Sequence, residues 1–415
     1  MESIKITLKV IYYLLLVITL VYSLYFSLVG IYGIIKRNNK QLKSYSKINR
    51  FAILIAARNE ENVIGNLIDS LKKMDYPKES YEIYVIPNNC KDKTEEVSKK
   101  HGAKIIECTI NTKTKADVLR YTFDKLKNNN YDAYLIFDAD NIADRNFIKE
   151  MNTVLNNGYN VAQGLREAKN PNDSWVSGSY AIYYMLSNLF INWSRHKIGT
   201  SCSVNGTGFM VSKKIIDKYG FNTKSLTEDI EYSSLCALHN EKIYFAKTAI
   251  TYDEHPESFI VSIKQRKRWS AGTIKCMKLY SKELLKQFFK TKNIALLDMY
   301  FVFMSPLIQI LSFMNILFIP IFRILKINLF FFDLHMLITG IISSIVSYIL
   351  TTLFAIIVVI FEKKKVLPLL KGILFFPLFI FSWVPIHIYC FIKKQDTWEE
   401  IKHSKNIKID DLIKE

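Results

Sequence analysis

Two carboxylates one residue apart, Asp138-Ala139-Asp140, stand directly after an apolar run at 134–137 that reads as a strand. At a strand end such a pair can share a divalent ion with a diphosphate, and oxygen ligands suit Mg2+ or Mn2+. Asp is also common in solvated turns, so the pair alone does not decide. A second acidic pair, Glu228-Asp229, follows Thr227 and precedes an apolar-periodic stretch to Leu238. Thr227 can cap a helix whose first turn favours both acids, and one acid can also serve as a general base. The third group is Gln265-Arg266-Lys267-Arg268-Trp269. Guanidinium groups and an indole beside an amide suit a diphosphate and the face of a sugar ring. The same residues suit a basic stretch resting on anionic lipid. Asn205-Gly206-Thr207-Gly208-Phe209 adds two glycines that let backbone approach a ligand, or simply turn the chain into a strand at 209–211.

These residues need a frame. Apolar runs at 51–57, 81–86, 104–110 and 133–137 predict strands. Helical patterns at 62–74, 93–101 and 114–127 lie between them, and Gly102 ends the second. Strands separated by helices predict a parallel α/β sheet with helices packed on it. In such sheets ligands bind at the carboxyl ends of the strands, which is where Arg58, Asn88 and Asp138 fall.

The rest of the 415-residue chain has a different character. Residues 10–35, 299–322, 336–361 and 372–392 carry no charge, and each run is long enough to cross a bilayer. Lys371, Pro377 and Pro385 predict a kinked or re-entrant fourth run. Lys+Arg number 56 against 38 Asp+Glu, a net charge of +18. The excess flanks the apolar runs: Lys36, Arg37, Lys40, Lys43, Lys47 and Arg50 follow the first, and Lys363, Lys364 and Lys365 follow the third. That places residue 36 onward in the cytoplasm and argues for membrane contact, not nucleic acid. Four full crossings would put the Lys-rich tail outside, so one run is expected not to cross fully. Six dispersed cysteines without a Cys-x-x-Cys pair exclude a disulfide scaffold or a local zinc knuckle.

Taken in order, Ala57-Arg58-Asn59-Glu60-Glu61, Asn88-Asn89-Cys90-Lys91-Asp92, Asp138-Ala139-Asp140, Thr227-Glu228-Asp229 and the full Gln-x-x-Arg-Trp at 265–269 resemble the membrane-bound family 2 glycosyltransferases. That group contains hyaluronan, chitin, cellulose and poly-N-acetylglucosamine synthases. The resemblance implies a cytoplasmic GT-A domain, a Rossmann-like mixed α/β sheet, joined to transmembrane helices. It implies a UDP-sugar donor, Mg2+ or Mn2+, and inversion at the anomeric carbon. Asp140 would ligate the metal, with Asp138 beside it on metal or ribose. Asp229 would deprotonate the acceptor. Ala57, Arg58 and Glu60 would border the nucleotide, and Lys115 would approach it. Asn205, Gly206, Thr207 and Glu228 would line the acceptor pocket, with Gln265, Arg268 and Trp269 over the diphosphate and the acceptor end. Two departures stand out: Asn88 occupies a position where Asp is usual, and Thr114-Lys115 replaces a common Gly-Lys.

The expected division is a transmembrane helix at 1–35, a catalytic domain at 36–272, an amphipathic interfacial helix at 273–293, a membrane region at 294–392 and a tail at 393–415. Six lysines from Lys275 to Lys292 beside Phe288 and Phe289 carry the interfacial expectation. His255 is read as hydrogen-bonding, with metal ligation as the alternative. The expected activity is elongation and export of a polysaccharide at the plasma membrane, through a multi-pass protein with room for accessory subunits. The alternatives are transfer of one sugar to a membrane lipid, and a catalytically inactive channel or assembly subunit.

Overall fold

The computed structural model describes residues 2–35, 42–327, 336–393, 395, 403 and 405–412. A long apolar helix, α1 (Glu2–Ile35), leads into an α/β domain. Its strands are β1 (Phe51–Ala57), β2 (Tyr81–Pro87), β3 (Lys104–Ile105), β4 (Ala133–Asp138), β5 (Ile142–Ala143), β6 (Val161–Ala168), β7 (Phe209–Ser212) and β8 (Ile243–Asp253). They form one sheet in the order β3-β2-β1-β4-β7-β6-β8-β5. The half β3-β2-β1-β4 is parallel, whereas β7 and β5 run antiparallel to their neighbours. The sheet is therefore mixed, and its first half follows the predicted elements. β3 is shorter than the expected 104–110.

Residues of β1 alternate between two cores. Phe51, Ile53 and Ile55 face α2 (Ile64–Lys72) and α5 (Phe147–Asn156). Ala52 and Leu54 face the side covered by α4 (Lys115–Leu126). A strand apolar on both faces is stable only with helices on both sides, which is why these strands read as unbroken apolar runs. The shorter helices α3 (Thr94–Lys100), α6 (Trp175–Leu186), α7 (Ser194–Ile198), α8 (Lys213–Tyr219) and α9 (Glu228–Leu238) fill the connections, with a wide π-turn at Ser187–Trp193 after α6.

The basic segment lies on α10 (Phe259–Thr291), a single helix that runs through both Gln265–Trp269 and the lysine-rich stretch. The expected boundary at 272/273 falls inside it, because no proline interrupts the helical pattern. Then come α11 (Ile294–Ile324), α12 (Met336–Phe361), α13 (Leu370–Phe381) and α14 (Trp383–Ile392).

By length and composition, helices at Glu2–Ile35, Ile294–Phe322, Ile342–Phe361 and Leu370–Ile392 could cross a membrane. The last differs from the others. Half of its window is buried inside the protein, against 11%, 22% and 17% for the first three. Gly372 of α13 meets Gly178 of α6 so closely that a Cβ on Gly372 would lie 2.6 Å from backbone carbon. Ahead of this run Lys364 pairs with Glu167 at 2.7 Å. Beyond it Lys405 pairs with Asp173 and Glu257, and Asp410 with Lys73 and Arg145. Both flanks of the fourth run thus touch the α/β domain.

Candidate active site

The register Ala57↔Pro87 and Ala56↔Asp138 brings the carboxyl ends of β2, β1 and β4 to one level. Arg58, Asn88 and Asp138 therefore meet at the mouth of a cavity of about 920 Å3. Its walls include the expected Ala57, Glu60, Lys115, Asp140, Asn205, Gly206, Glu228, Asp229, Gln265, Arg268 and Trp269. Thr207 is the exception. It is fully buried behind the wall, where its Oγ1 accepts from Asp138 N at 2.9 Å and donates to Asn141 Oδ1. With its hydroxyl committed in this way, Thr207 braces the turn that carries Asp138 instead of lining a pocket.

Lys115 sits at the centre. Its Nζ lies 2.5 Å from Asp138 Oδ1, 2.7 Å from the Gly206 carbonyl and 3.9 Å from Glu228. Burial opposes the charge on Lys115, but Asp138, Glu228 and Asp229 outweigh it and hold the ammonium. Burial likewise raises Asp138, yet Lys115, Arg166 and Arg268 keep it ionised below the usual range. Thr114 fixes the approach of Lys115: it caps α4 in a reciprocal pair with Asp117. Asn88 Oδ1 accepts from Thr112 Oγ1 at 2.5 Å, so one lone pair of that amide oxygen is already engaged.

On the other side of the mouth Asp140 stands among Glu60, Asp253 and Glu254. Burial pushes Glu60 up to about 7, and Asp140 and Asp138 add to the rise. Asp253 is pushed up to about 7 in the same way, even though Arg166 is paired with it. Burial first, and the neighbouring acids second, hold these carboxyls near protonation despite the cations Arg166 and Lys169 nearby, and a divalent ion would favour their charged forms. Among the described residues no three His, Cys, Asp or Glu side chains close a metal cage. Mg2+ or Mn2+ does not need such a cage, since one or two carboxylates hold it while phosphate oxygens and water complete the shell. Asp140 and Asp138 are the residues that would hold it. His403 adds a cation from the tail: its Nδ1 is 3.1 Å from both oxygens of Glu60, and its Nε2 is 3.9 Å from Asp140. Burial opposes that charge, but Asp140, Glu60 and Glu254 raise His403 to about 10.

Deeper in, Asp229 Oδ1 accepts from the Ile230 amide at 2.8 Å. A Cβ on Gly206, whose φ is +83°, would lie 3.3 Å from Asp229 Oδ2. Glycine there keeps space beside the carboxylate. Burial raises Asp229 above the ordinary aspartate range, and burial with the neighbouring Asp229 pushes Glu228 up to about 7. Over them lies α10. Gln265 Oε1, Arg268 Nε and Asn205 Nδ2 are buried with no hydrogen-bond partner among the described residues, three polar atoms ready for a ligand. Trp269 stacks at 6.2 Å and 23° on Trp383 and meets Tyr180 edge-on. Arg266 takes no part in this site. It is fully buried on another face, where Nη1 donates to the Phe379 carbonyl at 3.0 Å and to Ser382 Oγ at 2.7 Å.

Several wall residues lay beyond sequence reasoning. Arg166 pairs with Asp253, donates to the Asn205 carbonyl and lies 4.4 Å over the Tyr184 ring. Trp383 and His387 arrive from the fourth apolar run, and His403 from the tail. The only cue was a polar residue inside an apolar run. His255, expected to hydrogen-bond with metal ligation as the alternative, is buried and stacked on Tyr180 and Tyr184 at 5.3 and 5.1 Å, and its Nε2 has no hydrogen-bond partner among the described residues. Burial lowers its pKa well below the usual value, so it is neutral, and its backbone bonds Asn170.

The cavity does not stop at the catalytic groups. It continues between α1 and α11, past Tyr22, Ser23, Phe26, Ser27, Ser305 and Gln309. Farther along, the two helices close on each other, with Asn315 Nδ2 3.3 Å from Thr19 Oγ1 and Tyr12 against Phe318 and Phe322.

Comparison with known proteins gives consistent matches. The sequence model of the family described as "Glycosyltransferase like family 2" matches residues 49–272, more than half of the chain. "Probable glycosyltransferase YdaM" of Bacillus subtilis is 26% identical over 394 residues, covering 88% of this chain and 86% of the relative. A beta-monoglucosyldiacylglycerol synthase of Synechocystis is 22% identical, covering 53% of this chain and 47% of the relative. A poly-beta-1,6-N-acetyl-D-glucosamine synthase of Staphylococcus epidermidis is 23% identical, covering 64% and 63%. Among solved structures, a mannosyltransferase of Pyrobaculum calidifontis in complex with GDP-mannose and Mn2+ aligns with a TM-score of 0.60 at 12% identity. It covers 91% of this chain and 99% of that one, a likeness of fold.

Proposed function

The chain belongs to glycosyltransferase family 2, and from that premise we propose that it transfers one sugar from a UDP-sugar to an acceptor held in the membrane. The observation that carries this reading is the single cavity. It opens at the strand ends, passes Asp229 and ends between α1 and α11, where Thr19–Asn315 and the Tyr12 cluster close it. A chamber of that shape takes a nucleotide at one end and a lipid-anchored group at the other.

In this mechanism the diphosphate lies over β1 and β4, near Lys115, Arg166 and Arg268. Mg2+ or Mn2+ on Asp140 and Asp138 would neutralise charge on the departing diphosphate. Asp229 Oδ2 takes the proton of the acceptor hydroxyl as that oxygen bonds to the anomeric carbon. The bond from that carbon to the diphosphate breaks on the opposite face, which inverts the centre. A carboxylate is a weak base, so orientation by Gly206 and α9 supplies much of the effect. The tail and both flanks of α13–α14 stay on the cytoplasmic side with the catalytic domain, leaving α1, α11 and α12 as the crossings of a plasma-membrane protein.

A second reading, elongation and export of a polysaccharide, draws on the complete Gln-x-x-Arg-Trp of α10 and on the poly-N-acetylglucosamine synthase relatives. Full-length protein in lipid vesicles, given labelled UDP- and GDP-sugars with Mg2+ or Mn2+, separates the two. The proposal expects nucleoside diphosphate release and label in a solvent-extractable lipid carrying one added sugar. A long, water-soluble polymer would replace it with the second reading. No turnover of any nucleotide sugar by folded protein would leave the inactive subunit.

A further inference from the structure

The membrane end of the cavity contains one charged group that the transfer chemistry does not use. Arg195, on α7, is 1% exposed, yet it lines the cavity wall. Its Nε lies 2.8 Å from Asp298 Oδ2 on α11. Asp298 is 2% exposed and also accepts from Tyr25 Oη, at 2.7 Å on Oδ1. Asp298 thus has the Tyr25 phenol as a hydrogen-bond donor and the guanidinium as an ion-pair partner. The arginine has less: its Nε contact is an ion pair without hydrogen-bond geometry, and Nε, Nη1 and Nη2 all lack a hydrogen-bond partner among the described residues. Ser203 Oγ, on the same cavity wall, is buried without a partner as well.

A buried guanidinium with idle terminal nitrogens is costly unless something completes it. Its fork matches two oxygens of a phosphate, which is why arginine serves where planar recognition of phosphate is needed. The position fits a headgroup. Asp298 lies in the first turns of α11, and Ser194, next to Arg195, packs against Gly33 near the end of α1. Arg195 is thus where both apolar helices leave the α/β domain, the level at which headgroups would lie if α1 and α11 cross a bilayer. The wall around and beyond it mixes the apolar Phe26, Phe190 and Ile191 with the polar Ser23, Ser27, Ser305 and Gln309.

We propose that Arg195, oriented by Asp298 and Tyr25, binds the phosphate of a lipid-linked acceptor, so that the chain modifies a phosphate-bearing lipid in preference to a neutral one. The site rests on the membrane-held acceptor reading above and narrows its chemistry. The lipid tail would leave past Phe26, Phe190 and Ile191, while the hydroxyl end points toward Asp229.

The test uses the full chain in nanodiscs with three acceptors: a short polyprenyl-diphosphate-linked N-acetylglucosamine, phosphatidylglycerol and diacylglycerol. Wild type should prefer a phosphate-bearing acceptor, and which of the two it takes tells a glycosyl carrier from a phospholipid. Arg195→Gln should raise the KM for that acceptor at least 10-fold and erase the preference over diacylglycerol, with Arg195→Lys between. A purely structural ion pair would instead lower kcat with every acceptor and leave the preference intact, which overturns the site. A measurement on wild type alone guards against a variant that fails to fold. Dodecyl phosphate should raise the melting temperature and compete with the acceptor, whereas dodecanol should not. Equal effects of the two amphiphiles would also overturn it. Polymer formation with no lipid of any class modified would sink the membrane-held acceptor itself. Lipid transfer indifferent to phosphate would sink only the role of Arg195.

Discussion

Glu228 and Asp229 share one buried corner, with Lys115 Nζ 3.9 Å from Glu228. Burial raises both carboxyls, Glu228 to about 7. A base must be ionised to accept a proton, so lowering the pH through the raised pKa of Asp229 removes activity. The acid limb of kcat/KM should therefore lie above the ordinary aspartate value near 3.9. Glu228→Gln deletes the adjacent negative charge, so it should move that limb to lower pH. A profile from pH 4 to 9 checks both. A limb near pH 4 in wild type, or no movement in the variant, would remove Asp229 from the role of base. The acids themselves were legible because Thr227-Glu228-Asp229 forms a local pattern. Arg166 was not: it is a lone basic residue on a strand, and only the pairing of β6 with β8 sets it beside Asp253. Thr207 was misplaced for a related reason. Sequence put it beside two glycines, but its β-branched side chain turns inward to Asp138 N and Asn141.

At the scale of elements the contact that matters is between α10 and the turn carrying the acids. Gly272 of α10 lies so close to that turn that an added Cβ would fall 2.2 Å from Thr227 Oγ1 and 2.6 Å from its Cγ2. Neither α10 nor the turn can accept a methyl without moving. Thr227 directly precedes Glu228 and Asp229, so any shift reaches the base. Gly272→Ala is a favourable change for an isolated helix, by up to about 1 kcal/mol. Here it should cost roughly 100-fold in kcat, the scale expected for displacing a catalytic group by about 1 Å. Steady-state kinetics beside a melting curve tests the claim; unchanged kcat would show that the packing is slack. The domain boundary expected at 272/273 falls at this glycine, inside α10. A glycine in mid-helix looks like a weak point in sequence, but it is the condition for close approach to Thr227. The parallel strands were legible because each is an apolar run between helices. β5 and β3 are two residues each, too short to leave a period.

For the whole molecule the distribution of charge and the packing of the tail bear on one question, the number of crossings. Four crossings would send the lysines of the tail across the membrane, against the bias that keeps Lys and Arg inside. The structure sets Asp410 against Lys73 at 2.5 Å and Arg145 at 3.5 Å, Lys405 against Asp173 and Glu257, and His403 against Glu60. Exposed pairs such as these contribute little singly. Ile409 is 2% exposed and anchors the segment by apolar burial as well. A tail that reaches the donor mouth cannot lie across a bilayer from it, and α13–α14, kinked at Ser382 and packed on α6 and α10, need not span one. With three crossings, epitopes at the two termini fall on opposite faces. In inside-out vesicles, protease should remove a C-terminal epitope and spare an N-terminal one, and right-side-out vesicles should give the reverse. Both epitopes cleaved only in right-side-out vesicles would require an even number of crossings, and the tail contacts with Glu60, Asp173 and Lys73 could then not form in the membrane-embedded protein.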